Sequence, residues 1–379
     1  MIAGIGGKVK YTRKTTKTMK SHNLEYIPAL DHLRFLAASL VFVFHAYHQT
    51  VGGWKASPEL YAWGFITEGH TGVSLFFVLS GFVFMTIGLQ GEIRYAAFLK
   101  NRLLRIFPLF LLFFVIAISI GRDHFRPADL FYVLVSNLGL APTSNHFITG
   151  AAWTISIEFG FYLVFPFLSR FSREQGPMYL LRWIGLLLVV KFAAFAVSEK
   201  ATHMFYSTLI GRFDQFLWGM IAALLWNRYQ VRIRGFARLL LPLAAFGIWS
   251  ALAWQAREAS FFLSQTRQFA WLWWGSLEAI LWSLLMICYL GARLPWPSWL
   301  DRALCQGGRW SYSLYLWHCM VIFLIGHYAG YWMPFKDSLA NAALNMALCF
   351  PLSLAIAALS YHTIEKPFLG LRAPYLKPV

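Results

Sequence analysis

The sequence predicts an all-α protein, a polytopic membrane helix bundle of about ten transmembrane helices with both termini on the cytoplasmic side. Three observations carry this. Hydrophobic residues make up 58% of the 379 and charged residues only 13%, at a mean hydropathy of +0.54, and a soluble domain cannot hide that much apolar surface. Apolar runs of about 17–24 residues, the length that crosses roughly 30 Å of hydrocarbon, recur near 30–49, 70–89, 105–121, 152–169, 180–197, 208–226, 236–254, 269–290, 310–330 and 339–362. Lysine and arginine are unevenly shared among the joining segments, 23 on one side against seven on the other, which puts the richer set in the cytoplasm.

Taken in order, residues 1–28 carry Lys8, Lys10, Arg13, Lys14, Lys17 and Lys20 and lack the short apolar region and cleavage site of a signal peptide, so they read as a basic cytoplasmic tail. Residues 29–370 form one transmembrane domain, and 371–379 a short cytoplasmic C-terminal tail. Between the third and fourth spans, segment 122–150 contains an apolar stretch at 130–140 that is too short to cross and reads as re-entrant or interfacial. No attached soluble domain and no internal repeat are expected. Gly72, Gly81, Gly219 and Gly326 suit close helix packing. The net charge of +17 lies between spans rather than along one face, so lipid rather than nucleic acid is the expected partner. Cys288, Cys305, Cys319 and Cys349 have no metal-ligand spacing and read as small core residues; neither a disulfide, a metal nor a permanently bound cofactor is expected.

The first span carries two residues that an apolar helix does not tolerate freely, Arg34 and His45. They are eleven positions apart, which returns a helix to within about 20° of its starting face and separates them by roughly 16 Å along the axis. Such groups face a protein interior or a wet cavity, with Arg34 near the cytoplasmic surface and His45 in the outer third. His70 falls at the outer rim of the second span and Ser80 near its middle. Arg102 and Arg105 are i,i+3 neighbours entering the third span, a pair that serves either ordinary inner-side anchoring or the clamping of a polyanion's phosphates. Glu158 in the fourth span lies at the depth of His45, and two pairings are open to it, His45 or a buried cation such as Arg212.

Arg309, Ser311 and Tyr312 sit at the inner edge of the ninth span with His318 nearer mid-depth, where a histidine bonded to a neighbouring hydroxyl is the plain alternative to a functional one. Arg212 and Asp214, near the outer mouth of the sixth span, are expected to meet a polar acceptor, and Lys191 and Glu278 to form a structural pair. Arginines at the inner mouth with His45, Glu158 and Arg212 in the outer half fit one reaction class. A phosphate-rich donor enters from the cytoplasm and hands a group to an outward-facing acceptor, with an imidazole as general base on a hydroxyl.

At these residues the chain resembles the membrane-bound acyltransferase 3 family of bacterial carbohydrate O-acyltransferases. The resemblance runs over about 29–370. It rests on Arg34 and His45 separated by ten residues, GVSLFFVLSGF at 72–82, the RxxR element Arg102 and Arg105, WTISIEFGFY at 153–162, SYSLYLWH at 311–318, and EKPF at 365–368. Each motif is modest alone, and six in this order are specific. Two positions depart, Ser74 and Phe159, where many relatives carry carboxylates, so roles of those carboxylates do not transfer. A fused SGNH-type hydrolase domain is not expected, and a second transfer step by one is not implied. The resemblance implies an inner-membrane enzyme taking acetyl, or another short acyl group, from cytoplasmic acyl-CoA. The acceptor is a hydroxyl of a surface or secreted glycan or its lipid-linked precursor, with self-association into a homo-oligomer left open. It implies His45 and Glu158 as catalytic residues. It further implies Arg34, Arg102, Arg105, Arg309, Ser311, Tyr312 and His318 on the donor side and His70, Arg212 and Asp214 on the acceptor side. Direct transfer is expected over an acyl-enzyme, because no serine or cysteine stands in a nucleophile arrangement. The alternative is a transporter or flippase for a lipid-linked glycan, or a scaffold without chemistry, although the paired broken helices of a transporter are not evident.

Overall fold

The computed structural model describes residues 25–51, 53–121, 123, 153–263 and 266–378. The basic tail residues 8–20 and the apolar stretch 130–140 lie outside the described residues. The long helices are α1 (Pro28–Thr50), α2 (Thr71–Gly88), α3 (Tyr95–Ile120), α4 (Trp153–Gln175), α5 (Pro177–Val197), α6 (Leu209–Trp254), α7 (Trp271–Ala292), α8 (Ser298–Leu324) and α9 (Ser338–Ser360). Their boundaries follow local chemistry. Pro28 and Pro177 open α1 and α5 at positions where a missing N–H costs nothing. Gly176, at φ +72°, supplies the left-handed link before Pro177. Thr208 and Asp337 cap α6 and α9 with side-chain oxygens.

Among the described residues, seven helical segments are long and apolar enough to cross a membrane by length and composition. The helices α4 and α8, expected as spans, fall outside that set. Their apolar runs are interrupted by Thr154, Ser156 and Glu158 and by Ser311, Tyr312 and His318, the side chains that the bundle turns inward.

The spans expected at 208–226 and 236–254 belong to one helical segment, α6, of 46 residues. A straight helix of that length would reach about 69 Å. Instead, both ends of α6 meet the same end of α7: a methyl on Gly275 would sit 3.4 Å from the Gly211 carbonyl oxygen, and the Trp254 and Trp274 rings are 5.4 Å apart. Between them, Gly247 faces Leu281 and Ala237 faces Gly291. The segment therefore folds back along α7. The basic stretch Arg228, Arg232, Arg234 and Arg238 at the bend stays helical, in keeping with the high helix propensity of arginine.

Close approach holds the layers together. Gly72 lies against the Ala37 carbonyl, Gly81 against that of Phe216, and Gly219 against that of Val78, so α2 is locked between α1 and α6 by backbone contact, as small residues permit where lipid supplies no driving force. Gly326 differs, facing the Tyr331 ring close by in its own chain segment. Phe161 stacks on Phe216 at 4.0 Å and Phe77 on Phe216 at 4.6 Å, which joins α4, α6 and α2. At one end a short antiparallel pair, β1 (Gly91–Ile93) with β2 (Leu376–Pro378), ties the C-terminal segment down. Asn101 reinforces it by donating to Ala373 O at 2.7 Å and accepting from Ala373 N at 3.1 Å.

Candidate functional site: an arginine cavity leading to a histidine pair

A cavity of about 250 Å³ opens among α1, α2, α3, α4 and α8. Its four guanidiniums come from three places: Arg34 on α1, Arg102 and Arg105 on α3, and Arg372 on the segment held by β2. Arg34 donates from Nη1 to Asp31 Oδ1 at 2.8 Å, and the Tyr26 hydroxyl donates to the other oxygen of that carboxylate. Its charge is thus locally balanced. Among the described residues, Arg102, Arg105 and Arg372 have no carboxylate within salt-bridge distance. Arg102 lies over the faces of Phe84 (4.8 Å) and Phe98 (5.4 Å), and Arg372 donates to the Leu369 carbonyl. Burial, with Arg105 and Arg102 alongside, pulls Arg372 down to about 10. Three clustered cations with no carboxylate in direct contact among the described residues form a site for a multiply charged anion, and arginine forks suit phosphate oxygens.

Deeper in, Glu158, Ser311, Tyr312 and Tyr315 line the same space. Glu158 accepts from Tyr162 Oη at 3.0 Å and from Ser80 Oγ at 3.2 Å. Both pairings expected for Glu158 are corrected by this. Neither His45 nor Arg212 is its partner, because Tyr162 one helical turn away and Ser80 on α2 reach it first. Tyr312 donates to the Ile106 carbonyl at 2.8 Å. Arg309 stays out of the cavity wall, beside Gln306 and the Tyr26 ring.

The cavity ends at Tyr315, whose ring is 5.9 Å from that of His318 and whose hydroxyl accepts from Thr154 Oγ1. Beyond it, His45 and His318 pair. His45 Nδ1–H donates to Val41 O at 2.8 Å, and the same Nδ1 lies 3.2 Å from His318 Nε2. His318 Nδ1–H in turn donates to Leu314 O at 3.1 Å. Two carbonyls, which can only accept, assign both tautomers: His318 Nε2 carries a lone pair facing the His45 N–H, and His45 Nε2 is left basic. His318 was expected with the donor-side residues; the structure puts it on His45, one turn beyond Tyr315 on α8. Trp54 and Phe44 bound the other sides of His45, with ring centroids at 5.6 and 5.0 Å.

The remaining buried charges form a separate network. Lys191 Nζ donates to Asp214 Oδ2 at 2.8 Å, and Ser276 Oγ donates to the same oxygen. Arg212 Nη1 lies 3.6 Å from Glu278 Oε2, with Ser74 and Gln215 between them, and Arg212 Nε donates to Tyr206 O. The expected Lys191–Glu278 pair is thus replaced by two others. Arg212 and Asp214 are 1% and 0% exposed and are spent on bundle partners rather than lining the cavity. His70 Nε2 meets Glu68 Oε2 at 2.9 Å, also buried. Removing one partner of a fully buried pair leaves a stranded charge, a loss of about 3–5 kcal/mol. Lys191→Ala should therefore lower the detergent melting temperature sharply, and Lys191→Met with Asp214→Asn should restore most of it.

Sequence reasoning missed Arg372, Tyr162 and Tyr375 of the cavity wall. Tyr162 is visible as an i,i+4 neighbour of Glu158; Arg372 carries no sequence signal beyond basicity.

A family model described as an acyltransferase domain matches residues 27–362. Among curated relatives, the O-acetyltransferase OatA of Staphylococcus aureus, from strains NCTC 8325 / PS 47 and COL, is 24% identical over 396 residues, which cover 94% of this chain. The chain spans 59% of the length of those relatives. No solved structure matches the chain.

Proposed function

Because the chain belongs to the acyltransferase 3 family, whose model covers residues 27–362, we propose that it is a multi-pass membrane O-acetyltransferase. It takes acetyl from acetyl-CoA at the Arg34 end of the bundle and delivers it, at the His45 end, to a hydroxyl of a surface or secreted glycan or its lipid-linked precursor. One observation carries this reading. A cavity with three guanidiniums that, among the described residues, have no carboxylate in salt-bridge contact runs inward and stops one tyrosine short of a histidine whose Nδ1–H is committed to Val41 O, which leaves Nε2 as its basic nitrogen.

In this reading the CoA phosphates are held by Arg102, Arg105 and Arg372, with Arg34 fixed by Asp31 at the rim. The pantetheine arm runs past Ser311 and Tyr312 towards Tyr315. His45 Nε2 accepts the proton of the acceptor hydroxyl as its oxygen attacks the thioester carbonyl. The C–S bond then breaks, and the CoA thiolate takes up a proton. His318 Nε2 shares the His45 Nδ1–H with Val41 O and so supports the imidazolium formed in between, a role akin to the orienting group of a hydrolase triad. Glu158, held by Ser80 and Tyr162, faces the donor rather than the base. In this reading α6 counts as two crossings and the nine long helices give ten; the bias of 23 basic residues against seven supports an orientation with both termini and the arginine mouth on the cytoplasmic side, and the proposed location is a bacterial inner membrane.

Purified chain given labelled acetyl-CoA and candidate oligosaccharides should transfer the label. Absence of transfer to every glycan, with labelled glycan instead moving across a vesicle bilayer, would favour the transporter. His318→Gln, which keeps an acceptor near His45 Nδ1, should retain more activity than His318→Ala. Both should lower kcat while leaving the KM for acetyl-CoA near its wild-type value.

A further inference from the structure

We propose that this protein binds one zinc ion at a site separate from the acyl-transfer cavity, formed by His32 Nε2, Cys305 Sγ and an Asp301 carboxylate oxygen. The three side chains come from the opening turns of α1 and α8. Asp301 and Cys305 are i,i+4 neighbours and so project from one face of α8. His32 Nε2 lies 3.4 Å from Asp301 Oδ1 and 3.3 Å from Cys305 Sγ, and all three ligand atoms fall within 4.8 Å of one another.

Of these separations, the one between His32 and Asp301 is longer than a strong imidazole–carboxylate hydrogen bond. They are near the edge of a zinc tetrahedron, where bonds of about 2.0–2.3 Å put neighbouring ligand atoms about 3.4–3.6 Å apart. The ligand chemistry agrees. One imidazole nitrogen, one thiolate and one carboxylate neutralise a divalent ion, so the occupied site adds no net charge to a place where His32 and Cys305 are 6% and 7% exposed. Asp301, with its side chain 35% exposed, gives a path from solvent and leaves a fourth position for water.

The surroundings fit as well. A ligating histidine needs a partner on its other nitrogen to fix the ring, and His32 Nδ1 is 2.8 Å from the Tyr289 hydroxyl, which is held in turn by Trp296 Nε1 at 2.9 Å. The sequence concealed this site because its histidine is 269 positions from its aspartate, and Asp-x-x-x-Cys alone has no metal-ligand look. The neighbouring Asp31 orients Arg34, so an ion here would pin the turn of α1 that aims that arginine.

A second cluster, His45, His318 and Cys319, shares the donor types, and the test separates the two. Full-length chain, purified in detergent and stripped of metal, is titrated with Co2+ and then with Zn2+. The wild type should bind one equivalent of Co2+ with a thiolate-to-cobalt charge-transfer band that Zn2+ abolishes. The band should be lost in Cys305→Ala and in His32→Ala and should persist in Cys319→Ala. Each variant's elution as a monodisperse species checks its fold. No band in the wild type, or a band that survives Cys305→Ala, would overturn the proposal and leave Cys305–His32–Asp301 as a hydrogen-bonded triad. Neither outcome bears on acyl transfer.

Discussion

Replacing Arg102 and Arg105 by alanine should raise the dissociation constant for CoA more than any other change in the cavity. A charge-assisted hydrogen bond is worth about 1.5–3 kcal/mol, so each single variant should bind CoA roughly 10- to 150-fold more weakly. Arg102→Lys should recover only part of the loss, because a point ammonium cannot reproduce a planar fork over Phe84. Equilibrium binding of labelled CoA measures this. Adenosine 3′,5′-bisphosphate should compete, since the phosphates and not the thioester carry the contact. The same nucleotide should raise the melting temperature of the wild type, because it relieves repulsion among Arg102, Arg105 and Arg372. Unchanged CoA binding in both arginine variants would remove the donor from this cavity.

His45→Ala should abolish acetyl transfer while leaving CoA binding intact. General-base catalysis contributes about 10²–10⁴-fold, and in the proposed reaction His45 serves as the base, with its Nδ1 occupied by Val41 O and His318. The separation of effects matters. His45 lies beyond Tyr315, outside the cavity wall, so its loss should spare the donor's dissociation constant. A variant with undiminished turnover would take His45 out of the chemistry.

Much of this site is legible in the sequence, for identifiable reasons. Arg34 and His45 sit on one face because eleven residues make three helical turns to within about 20°, a relation internal to one helix. Arg102 and Arg105 share a wall for the same reason. What is not legible is whatever depends on rotation between helices. Equal depth suggests a His45–Glu158 meeting, yet depth says nothing about azimuth, and Glu158 turns to Tyr162 and Ser80. The exchange of partners among Lys191, Asp214, Arg212 and Glu278 has the same origin. Ser74 is instructive here. Where many relatives carry a carboxylate, this chain has a hydroxyl that donates to Glu278 Oε2 at 2.5 Å. A carboxylate thus reaches Arg212 from α7 instead.

Arg372 was hidden for a different reason. A basic residue near the end of a chain reads as tail, and only the pairing of Glu92 with Lys377 and the Asn101–Ala373 contacts carry it back to the cavity. The fold-back of α6 is half visible: two apolar runs imply two arms, while the arginine-rich segment that joins them carries no sign that it stays helical.

In the proposed complex the donor lies with its phosphates on Arg102, Arg105 and Arg372 and its acyl end at Tyr315. An acyl-CoA carrying a photoreactive diazirine in the acyl chain tests it directly. Irradiated with the purified chain, it should mark Thr154, Tyr315 or His318, and excess CoA should suppress the labelling. Labelling confined to other helices, or insensitive to CoA, would contradict the account.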